Sequence, residues 1–340
     1  MAAKHIHKVS AVRVEDHDDL AQGFTLALQQ LPGLLPRALP AQVVIKPNLC
    51  DITAWETGVT TDPRWLAILA RELRAIRPDV RIRVVESDAI SAYKSYRSCD
   101  ETFDRLGYLT AAHEAGVELV NLSRSDAIEI RLDGIPQPIR IPQLLFEEMY
   151  FISIANLKLH AYTRVTGILK NTMGLLTDAE IASLHSHLSI LISRLFRLCS
   201  PDLCIIDGRI GLEGGGPIMG RPLRMDTILV GNDALAVDAA ACCLMGIPAN
   251  RVAHLCQTAR DAARNLRAFE VVGDLRPHPF TFDAAHLLPA IQAKFANRRL
   301  HERMERFSNR WIDRAYRFRD DPSAFAKSAI SKFARGSRGR

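Results

Sequence analysis

The sequence predicts an α/β fold, with a mainly parallel mixed sheet flanked by helices, one β-hairpin insertion and a helical, basic C-terminal tail. Short β-branched runs alternate with segments of helical apolar spacing along most of the 340 residues, a pattern typical of parallel sheets. Asp133-Gly134 joins two short apolar segments, as in a hairpin. Positive charge is concentrated near the C-terminus, which indicates a separate extension.

The predicted strands are short runs rich in valine and isoleucine, most of them bounded by polar or turn-forming residues. Gln42–Lys46, for example, is closed by Pro47, which cannot donate a hydrogen bond to a sheet. The predicted strands are 42–46, 81–86, 117–121, a hairpin over 128–141, 149–154, 203–207, 227–231 and 269–272.

The predicted helices carry apolar residues on one face, and several begin at capping residues. They are 18–32 with Leu20, Phe24, Leu28 and Leu31 on one face; a helix that begins after Thr61-Asp62-Pro63; Ser98 to Gly107; a helix opened by Asp178 with Ile181, Leu184, Leu188, Leu191 and Leu195 inward; Asp233 to Gly246; and about 250–266.

We expect residues 1–285 to form the α/β domain and residues 286–340 a partly helical extension. Hydrophobic residues make up 48% of the chain and charged residues 24%, which is typical of a soluble globular protein. No segment approaches the ~20 apolar residues that span a bilayer, and the first eight residues lack the apolar core of a secretory signal. We therefore predict a cytoplasmic protein.

The seven cysteines include no C-x-x-C pair. Their odd number and scattered spacing argue against a disulfide framework and a self-contained iron–sulfur site. We therefore expect no iron–sulfur cluster. The cysteine pattern does not exclude a site for a divalent or transition metal.

Residues 294–340 contain 14 Lys/Arg and 5 Asp/Glu, a net charge of +9. Because the whole chain carries +6, residues 1–293 carry −3. Such a tail could contact nucleic acid, anionic lipid or an acidic protein. The alternative is a solvated, partly helical extension without a partner.

The polar stretch that follows the predicted strand 149–154 contains the first candidate catalytic groups, because α/β proteins place their ligands at strand ends. Lys158 and His160 are two residues apart, so an extended chain would project both from one face. Histidine suits acid–base catalysis, and a desolvated lysine can be a base or a nucleophile. Lys170 and Asn171 follow in a segment with little apolar periodicity, which we interpret as a functional loop.

His185 and His187 lie on the helix that we expect Asp178 to open. Two residues on a helix point about 200° apart, so these side chains cannot chelate one metal together. We favour His185 as the inward one, because it lies between Leu184 and Leu188.

Lys46 and Asn48 end another predicted strand and could bind a carboxylate or phosphate, with Pro47 fixing the backbone between them. The alternative is a surface lysine. Glu86-Ser87-Asp88 ends the next strand and could supply paired carboxylates, although loop or capping roles are simpler.

Asp207 precedes a glycine-rich loop that contains Glu213, Gly214 and Gly216. Free backbone N–H groups in such a loop could bind an anion, and the alternative is a wide structural turn. The loop has no G-K-[ST] signature, and no G-x-G-x-x-G opens a helix, so neither a P-loop nor a Rossmann dinucleotide site is supported. Asp233 and Asp238 are interpreted as structural, with Asp233 capping a helix.

Taken together, these motifs resemble those of the DUF362 family of α/β proteins over about residues 41–247. The matching pieces are Ile45-Lys46-Pro47-Asn48-Leu49, Thr60-Thr61-Asp62-Pro63, Glu86-Ser87, Phe103 to Gly107-Tyr108, Asn156-Leu157-Lys158-Leu159-His160, Val165-Thr166-Gly167-Ile168-Leu169-Lys170-Asn171, His185, Asp207-Gly208, Glu213-Gly214-x-Gly216-Pro217 and Asp233-x-x-x-x-Asp238. Many members also carry ferredoxin-like cysteine motifs, which this chain lacks, so the resemblance implies no electron-transfer role.

His160, Lys170 and His185 also have a spacing similar to that of nickel-pincer lactate racemases. This more distant resemblance implies that His160 transfers a proton, that Lys170 anchors a nucleotide cofactor and that His185 binds the metal.

We interpret the chain as an enzyme that acts on a small anionic metabolite by lysine and histidine acid–base chemistry. The alternative is a non-catalytic anion-binding or adaptor protein whose basic tail contacts its partner. The candidate residues are His160, Lys170, Lys158 and Asp207 for catalysis; Lys46, Asn48, Asn171, Glu213, Gly214 and Gly216 for substrate binding; and His185 for a metal.

Overall fold

A computed structural model of the chain describes residues 6–90, 96–177, 184 and 187–283. The strands are β1 (His7–Arg13), β2 (Gln42–Lys46), β3 (Arg81–Glu86), β4 (Ala89–Ile90), β5 (Tyr96–Arg97), β6 (Glu118–Asn121), β7 (Ala127–Ile130), β8 (Ile139–Pro142), β9 (Tyr150–His160), β10 (Arg164–Val165), β11 (Leu203–Gly215), β12 (Met219–Gly231) and β13 (Phe269–Gly273). The α-helices are α1 (Leu20–Gln30), α2 (Trp65–Ile76), α3 (Cys99–Arg105), α4 (Tyr108–Ala115), α5 (Ile168–Asn171), α6 (Leu188–Leu198), α7 (Ala234–Leu244) and α8 (Ala253–Asp261).

The main sheet has the strand order β13-β1-β12-β11-β9-β2-β3-β6, and β10 pairs with β9 beside this path. The pairs from β11 through β9, β2 and β3 to β6 are parallel, as is the pair of β1 and β13. Only β12 is antiparallel to its neighbours β1 and β11 within this path. The predicted α/β class with a mainly parallel mixed sheet is confirmed.

Two apolar cores lie on opposite faces of this sheet. On β2, Val43 and Ile45 face one core while Val44 faces the other, as alternation along a strand requires. The first core is closed by α1, α2 and α4, where Phe24 meets Trp65 edge to face at 5.6 Å. The second is closed by the helices that follow β9, through residues such as Leu191 and Leu255. Because helices cover both faces of the sheet, side chains on both faces of β2 are buried, which explains its run of consecutive hydrophobic residues.

The predicted hairpin is present as a separate antiparallel pair, β7 and β8, with Ile128 opposite Ile141. Its connection runs from residue 131 to 138 and is longer than the tight turn that Asp133-Gly134 suggested. Gly134 adopts a positive φ of 82°, which glycine tolerates without strain.

The predicted glycine loop after Asp207 is wrong, because that segment is a β-hairpin. β11 and β12 are 13 residues each, and their pairing extends from Cys204 opposite Gly231 to Gly215 opposite Met219. Glycines allow this close pairing, since a Cβ at Gly208 would lie 2.7 Å from the carbonyl oxygen of Thr227. The second half of β11 is rich in glycine and polar residues, so its sequence does not have the pattern of a strand.

The N-terminal strand β1 was not predicted, although Val9 and Ala11 face one core and Val12 faces the other. Of the helix that was predicted from Asp178, the structure describes α6, Leu188–Leu198. The structure does not describe residues 178–183, 185, 186 and 284–340. The whole of the predicted C-terminal extension, residues 286–340, therefore lies outside the described residues.

No helix among residues 6–90, 96–177 and 187–283 combines the length and the apolar character needed to cross a membrane.

Candidate functional site

The carboxyl ends of β2, β3, β9 and β11 meet at one edge of the sheet. β9 is central there and continues to His160, past the last residues that β2 pairs with it. The extended backbone places Lys158 and His160 on the same face, as predicted. Both side chains are buried, with 1% and 9% exposure. The site is therefore built around the end of β9.

Lys46, at the end of β2, forms an ion pair with Glu86 at the end of β3. Its Nζ lies 2.7 Å from Glu86 Oε2 and 2.8 Å from the carbonyl oxygen of Pro47. Glu86 also accepts the backbone N–H groups of Leu49 and Ser87. The predicted anion-binding lysine is thus committed to an internal carboxylate and is 1% exposed.

Lys158 donates to the carbonyl oxygen of Val59 at 2.7 Å and to Sγ of Cys50 at 3.1 Å. Both acceptors lie on the segment that follows β2 and covers the end of β9. Among the described residues, no carboxylate lies within ion-pair distance of Lys158. Its ammonium group is therefore buried without a carboxylate partner among the described residues, which is costly unless a ligand supplies one.

Lys170 lies on the short helix α5, not in the loop that the sequence suggested. Its side chain is half-buried and makes no hydrogen bond or ion pair with any described residue. Burial lowers the pKa of Lys170 to about 8, with Cys50 opposing this effect and the charges of Lys158 and Lys46 adding to it. A lysine in this state holds a reactive neutral amine at mildly alkaline pH.

His160 is oriented by the backbone of the residues that follow it. Its Nδ1 lies 3.1 Å from the backbone N of Tyr162 and 3.3 Å from that of Thr163, and both N–H groups donate to it. A ring nitrogen that accepts N–H groups cannot carry the proton, so the neutral ring presents N–H at Nε2. His160 is thus arranged as a hydrogen-bond donor.

The two predicted asparagines are arranged differently. Asn171 is buried and its Nδ2 donates to Lys46 O, Ser153 Oγ and Ile154 O, at 3.0 to 3.3 Å. It therefore joins α5 to β2 and β9. The Oδ1 atom of Asn48 is buried and has no hydrogen-bond partner among the described atoms, which leaves an acceptor for a ligand.

Asp207 belongs to a buried network with Arg209, Asp62 and Trp65. Arg209 Nη2 lies 2.8 Å from Asp207 Oδ2 and 2.7 Å from Asp62 Oδ2, and Trp65 Nε1 donates to Asp207 at 2.9 Å. Burial opposes ionisation of Asp207, but the charge and hydrogen bonds of Arg209 outweigh it and hold its pKa below the usual range. The negative charge of Asp207 is therefore neutralised by Arg209.

Arg209 and Asp62 were not predicted as part of this edge. Arg209 is completely buried and stacks on the ring of Trp55, with Cζ 4.9 Å from the centroid. The only signals in the sequence are an arginine two residues after Asp207 and an aspartate that was interpreted as a helix cap. The N-cap residue of α2 is Arg64 instead, and Asp62 Oδ1 accepts the N–H of Arg64 at 2.9 Å.

Glu213, Gly214 and Gly216 lie at the tip of the β11–β12 hairpin. Glu213 binds Arg221 and accepts both the N–H and the hydroxyl of Thr281, and Gly214 donates its N–H to the carbonyl oxygen of Thr281. A Cβ at Gly216 would lie 2.0 Å from the carbonyl oxygen of Leu159. The tip therefore packs against β9 next to His160.

Asp238 caps α5 and so positions Lys170. Its Oδ1 and Oδ2 accept the N–H groups of Ile168 and Leu169 at 2.7 and 3.0 Å. Burial raises the pKa of Asp238 to about 7, although the two hydrogen bonds oppose this shift. Asp233 caps α7 by accepting the N–H of Ala236. The predicted capping role of Asp233 is confirmed.

The predicted metal ligand His185 lies outside the described residues. His187 precedes α6 as its N-cap residue and does not lie within the helix. Among the described residues, no group of three or more histidine, cysteine, aspartate or glutamate side chains could hold a metal ion. The spacing of His160, Lys170 and His185 predicted a cofactor anchor and a metal ligand. Lys170, which has no partner among the described residues, would fit the anchor, whereas the described residues offer no set of ligands for the metal.

Comparisons with known proteins identify the family but not the activity. A family model described as a domain of unknown function (DUF362) matches residues 43–243, more than half of the chain. No curated protein matches the sequence.

A solved structure, the lactate racemase apoprotein from Thermoanaerobacterium thermosaccharolyticum, is similar to this chain with 11% identity and a TM-score of 0.36. The match covers 68% of this chain and 55% of the racemase, so the chain spans about half the length of that protein. At this TM-score the likeness carries no argument about chemistry.

Proposed function

This chain belongs to the DUF362 family, a family of domains of unknown function, and we propose from its site that it is an enzyme acting on a small anionic metabolite. The metabolite would be a carboxylate or a phosphate. The chemistry would be proton transfer by lysine and histidine.

The observation that carries the proposal is the absence of a carboxylate partner for Lys158 and Lys170 within the described residues. Lys46, in contrast, is neutralised by Glu86. Two ammonium groups that lie in and beside a buried site leave an excess of positive charge, which a bound anion would balance. The buried Oδ1 of Asn48 accepts no hydrogen bond from the described residues, which favours a ligand that also carries a hydroxyl or amide donor.

The proposed division of roles follows from the partners of each group. Lys158, held by Val59 and Cys50, would bind the anion. Lys170, whose pKa is lowered to about 8 by burial, would remove a proton from the carbon next to a carboxylate, because a base with a pKa near the working pH is effective. His160 would donate from Nε2 to the oxygen on which negative charge develops.

Asp207 and Asn171 would act by positioning. Asp207 fixes Arg209 and Trp65 beneath the segment that supplies Val59 and Cys50, and Asn171 fixes α5 against the sheet. The tip with Glu213, Gly214 and Gly216 would border the site beside His160. A cofactor anchored to Lys170 would use the same amine.

Thermal denaturation in the presence of a panel of organic and phosphorylated acids tests this proposal. We expect some of these anions to raise the melting temperature of the full chain. Replacing Lys158 by methionine should weaken that binding at least about tenfold, which corresponds to about 1.4 kcal/mol. His160→Gln should retain binding and lose turnover once a substrate is found.

Lys8→Met is the matched control, because Lys8 is an exposed lysine, with 55% of its side chain accessible, on the distant strand β1. It should leave the stabilisation by anions unchanged. Equal loss in the Lys8 and Lys158 variants, or no stabilisation by any acid, would contradict the proposal.

A further inference from the structure

Lys170 differs chemically from the two lysines beside it. Lys46 is paired with Glu86, and Lys158 is held by a carbonyl oxygen and a thiol. Lys170 has neither kind of partner among the described residues, and its side chain is half-buried. An amine of this kind has no internal interaction to lose when it forms a covalent bond.

We propose that Lys170 is a covalent site for 2-oxo acids, forming an iminium with the ketone carbon while Lys158 binds the neighbouring carboxylate. This inference rests on the proposed function, since it uses the same anion site; with a 2-oxo acid the Lys170 amine acts as a nucleophile instead of a base. A 2-oxo acid matches these two lysines because its carboxylate and its electrophilic carbon are adjacent. The segment that leads into α5 is bound to Lys158, since the N–H of Thr166 donates to the carbonyl oxygen of Lys158 at 2.9 Å.

The covalent step balances without an oxidant or a reductant. The lone pair of the neutral Lys170 amine forms the C–N bond, the electrons of the C=O π bond move to oxygen, and transfer of one proton from nitrogen to that oxygen gives a carbinolamine. A second proton, taken from solvent, lets the hydroxyl leave as water while the nitrogen lone pair forms C=N, which gives the protonated iminium. Hydrolysis reverses the sequence and releases the acid, so the lysine is regenerated.

The surroundings of Lys170 favour the neutral amine that this step needs. Burial is the main cause of its lowered pKa of about 8, and the like charges of Lys158 and Lys46 add to it. Cys50 acts in the opposite direction. His254, on α8, is fully buried and remains uncharged near neutral pH, since burial and the charge of Lys170 lower its pKa to about 3. Asp238 faces the first turn of α5 and is occupied by two N–H groups.

Borohydride trapping of the full chain with pyruvate tests the inference. Borohydride delivers hydride to the iminium carbon and leaves a stable secondary amine. We expect the intact mass to rise by one reduced pyruvate, and peptide mapping to locate the adduct at Lys170. Trapping should increase as the pH rises through about 8, where the amine loses its proton. Acetone, which has a ketone but no carboxylate, should react at least about tenfold less.

Two variants serve as controls. Lys170→Arg should abolish the adduct while keeping the positive charge, and Lys8→Arg, at an exposed lysine, should leave it unchanged. Because mapping is done on the unaltered chain, the inference stays testable even when the Lys170 variant does not fold.

The outcomes separate this inference from the proposed function. Thermal stabilisation by pyruvate without an adduct overturns the covalent step and leaves the anion site intact. Labelling spread over surface lysines, or equal labelling by acetone, also overturns it. If no 2-oxo acid gives an adduct and no acid of the whole panel stabilises the chain, both this inference and the proposed function are contradicted.

Discussion

Three lysines lie at one edge of the sheet, but their partners assign them different roles. Lys46 is fixed by Glu86, Lys158 is held by the carbonyl oxygen of Val59 and Sγ of Cys50, and Lys170 has no partner within the described residues. A buried charge is tolerated when a carboxylate neutralises it, and it is costly when none does. Structural and functional roles within one lysine cluster can therefore be separated by their ion pairs.

This separation predicts that Glu86 is more important for stability than surface carboxylates. Glu86→Gln removes the charge that neutralises Lys46, so we expect a loss of about 3–5 kcal/mol in the free energy of unfolding, measured by urea denaturation. Adding Lys46→Met to Glu86→Gln should restore part of that loss, because no unpaired charge then stays buried.

Glu118→Gln provides the comparison, since Glu118 pairs with Arg81 at the surface and exposed pairs contribute up to about 1 kcal/mol. If Glu86→Gln costs no more than Glu118→Gln, the ion pair of Lys46 does not have the proposed structural role.

At the scale of elements, the β11–β12 hairpin and the short helix α5 complete the site around β9. The hairpin tip can approach β9 because Gly216 has no side chain, and α5 is anchored because Asp238 accepts two of its N–H groups. Neither element has a strong local signal, since one is rich in glycine and the other is four residues long. Tertiary contacts stabilise both.

Gly216→Ala should push the hairpin tip away from β9. Because its Cβ would lie 2.0 Å from a backbone oxygen, the neighbouring atoms cannot yield by a rotamer change, and we expect a loss of about 1–3 kcal/mol in unfolding free energy. Amide hydrogen exchange of residues 213–219 should become faster, and binding of anions should weaken.

Gly107→Ala separates crowding from backbone strain. Gly107 has a φ of 75° but no atom within 4 Å of an added Cβ, so its replacement should cost about 1 kcal/mol through backbone strain alone. Equal losses for the two variants, with unchanged exchange at the tip, would argue against close packing of the hairpin on β9.

The charge of the whole molecule is divided between two parts. Residues 294–340 carry +9 and residues 1–293 carry −3, so electrostatic attraction to an anionic polymer would be concentrated in the tail. This division supports the alternative function, in which the tail contacts nucleic acid, anionic lipid or an acidic protein, and it is compatible with an enzymatic body.

Binding of the full chain to double-stranded DNA and to phosphatidylserine vesicles, measured as a function of salt, tests this alternative. If the tail is an interaction arm, affinity should fall steeply as salt rises, and a variant that lacks residues 286–340 should lose it. That variant should keep any stabilisation by small acids. Salt-sensitive binding that survives the deletion, or no binding by the full chain, would contradict the role of the tail.

The sequence by itself determined the fold class and the edge of the sheet where the site lies. Strands β2, β3 and β9 follow from local β-branched runs, and the parallel order brings their carboxyl ends together. This physical rule placed Lys46, Lys158, His160 and Lys170 in one region, since each residue follows or ends a recognisable strand.

Only the tertiary structure decided which of these lysines has a carboxylate partner. Glu86 is 40 residues from Lys46, and Asp62 is 147 residues from Arg209. Ion pairs over such separations depend on how strands are ordered and helices are stacked, and local sequence patterns carry no record of them. For the same reason the sequence predicts a loop in the glycine-rich segment after Asp207: the pairing of that segment with β12 is fixed by packing and not by side-chain periodicity.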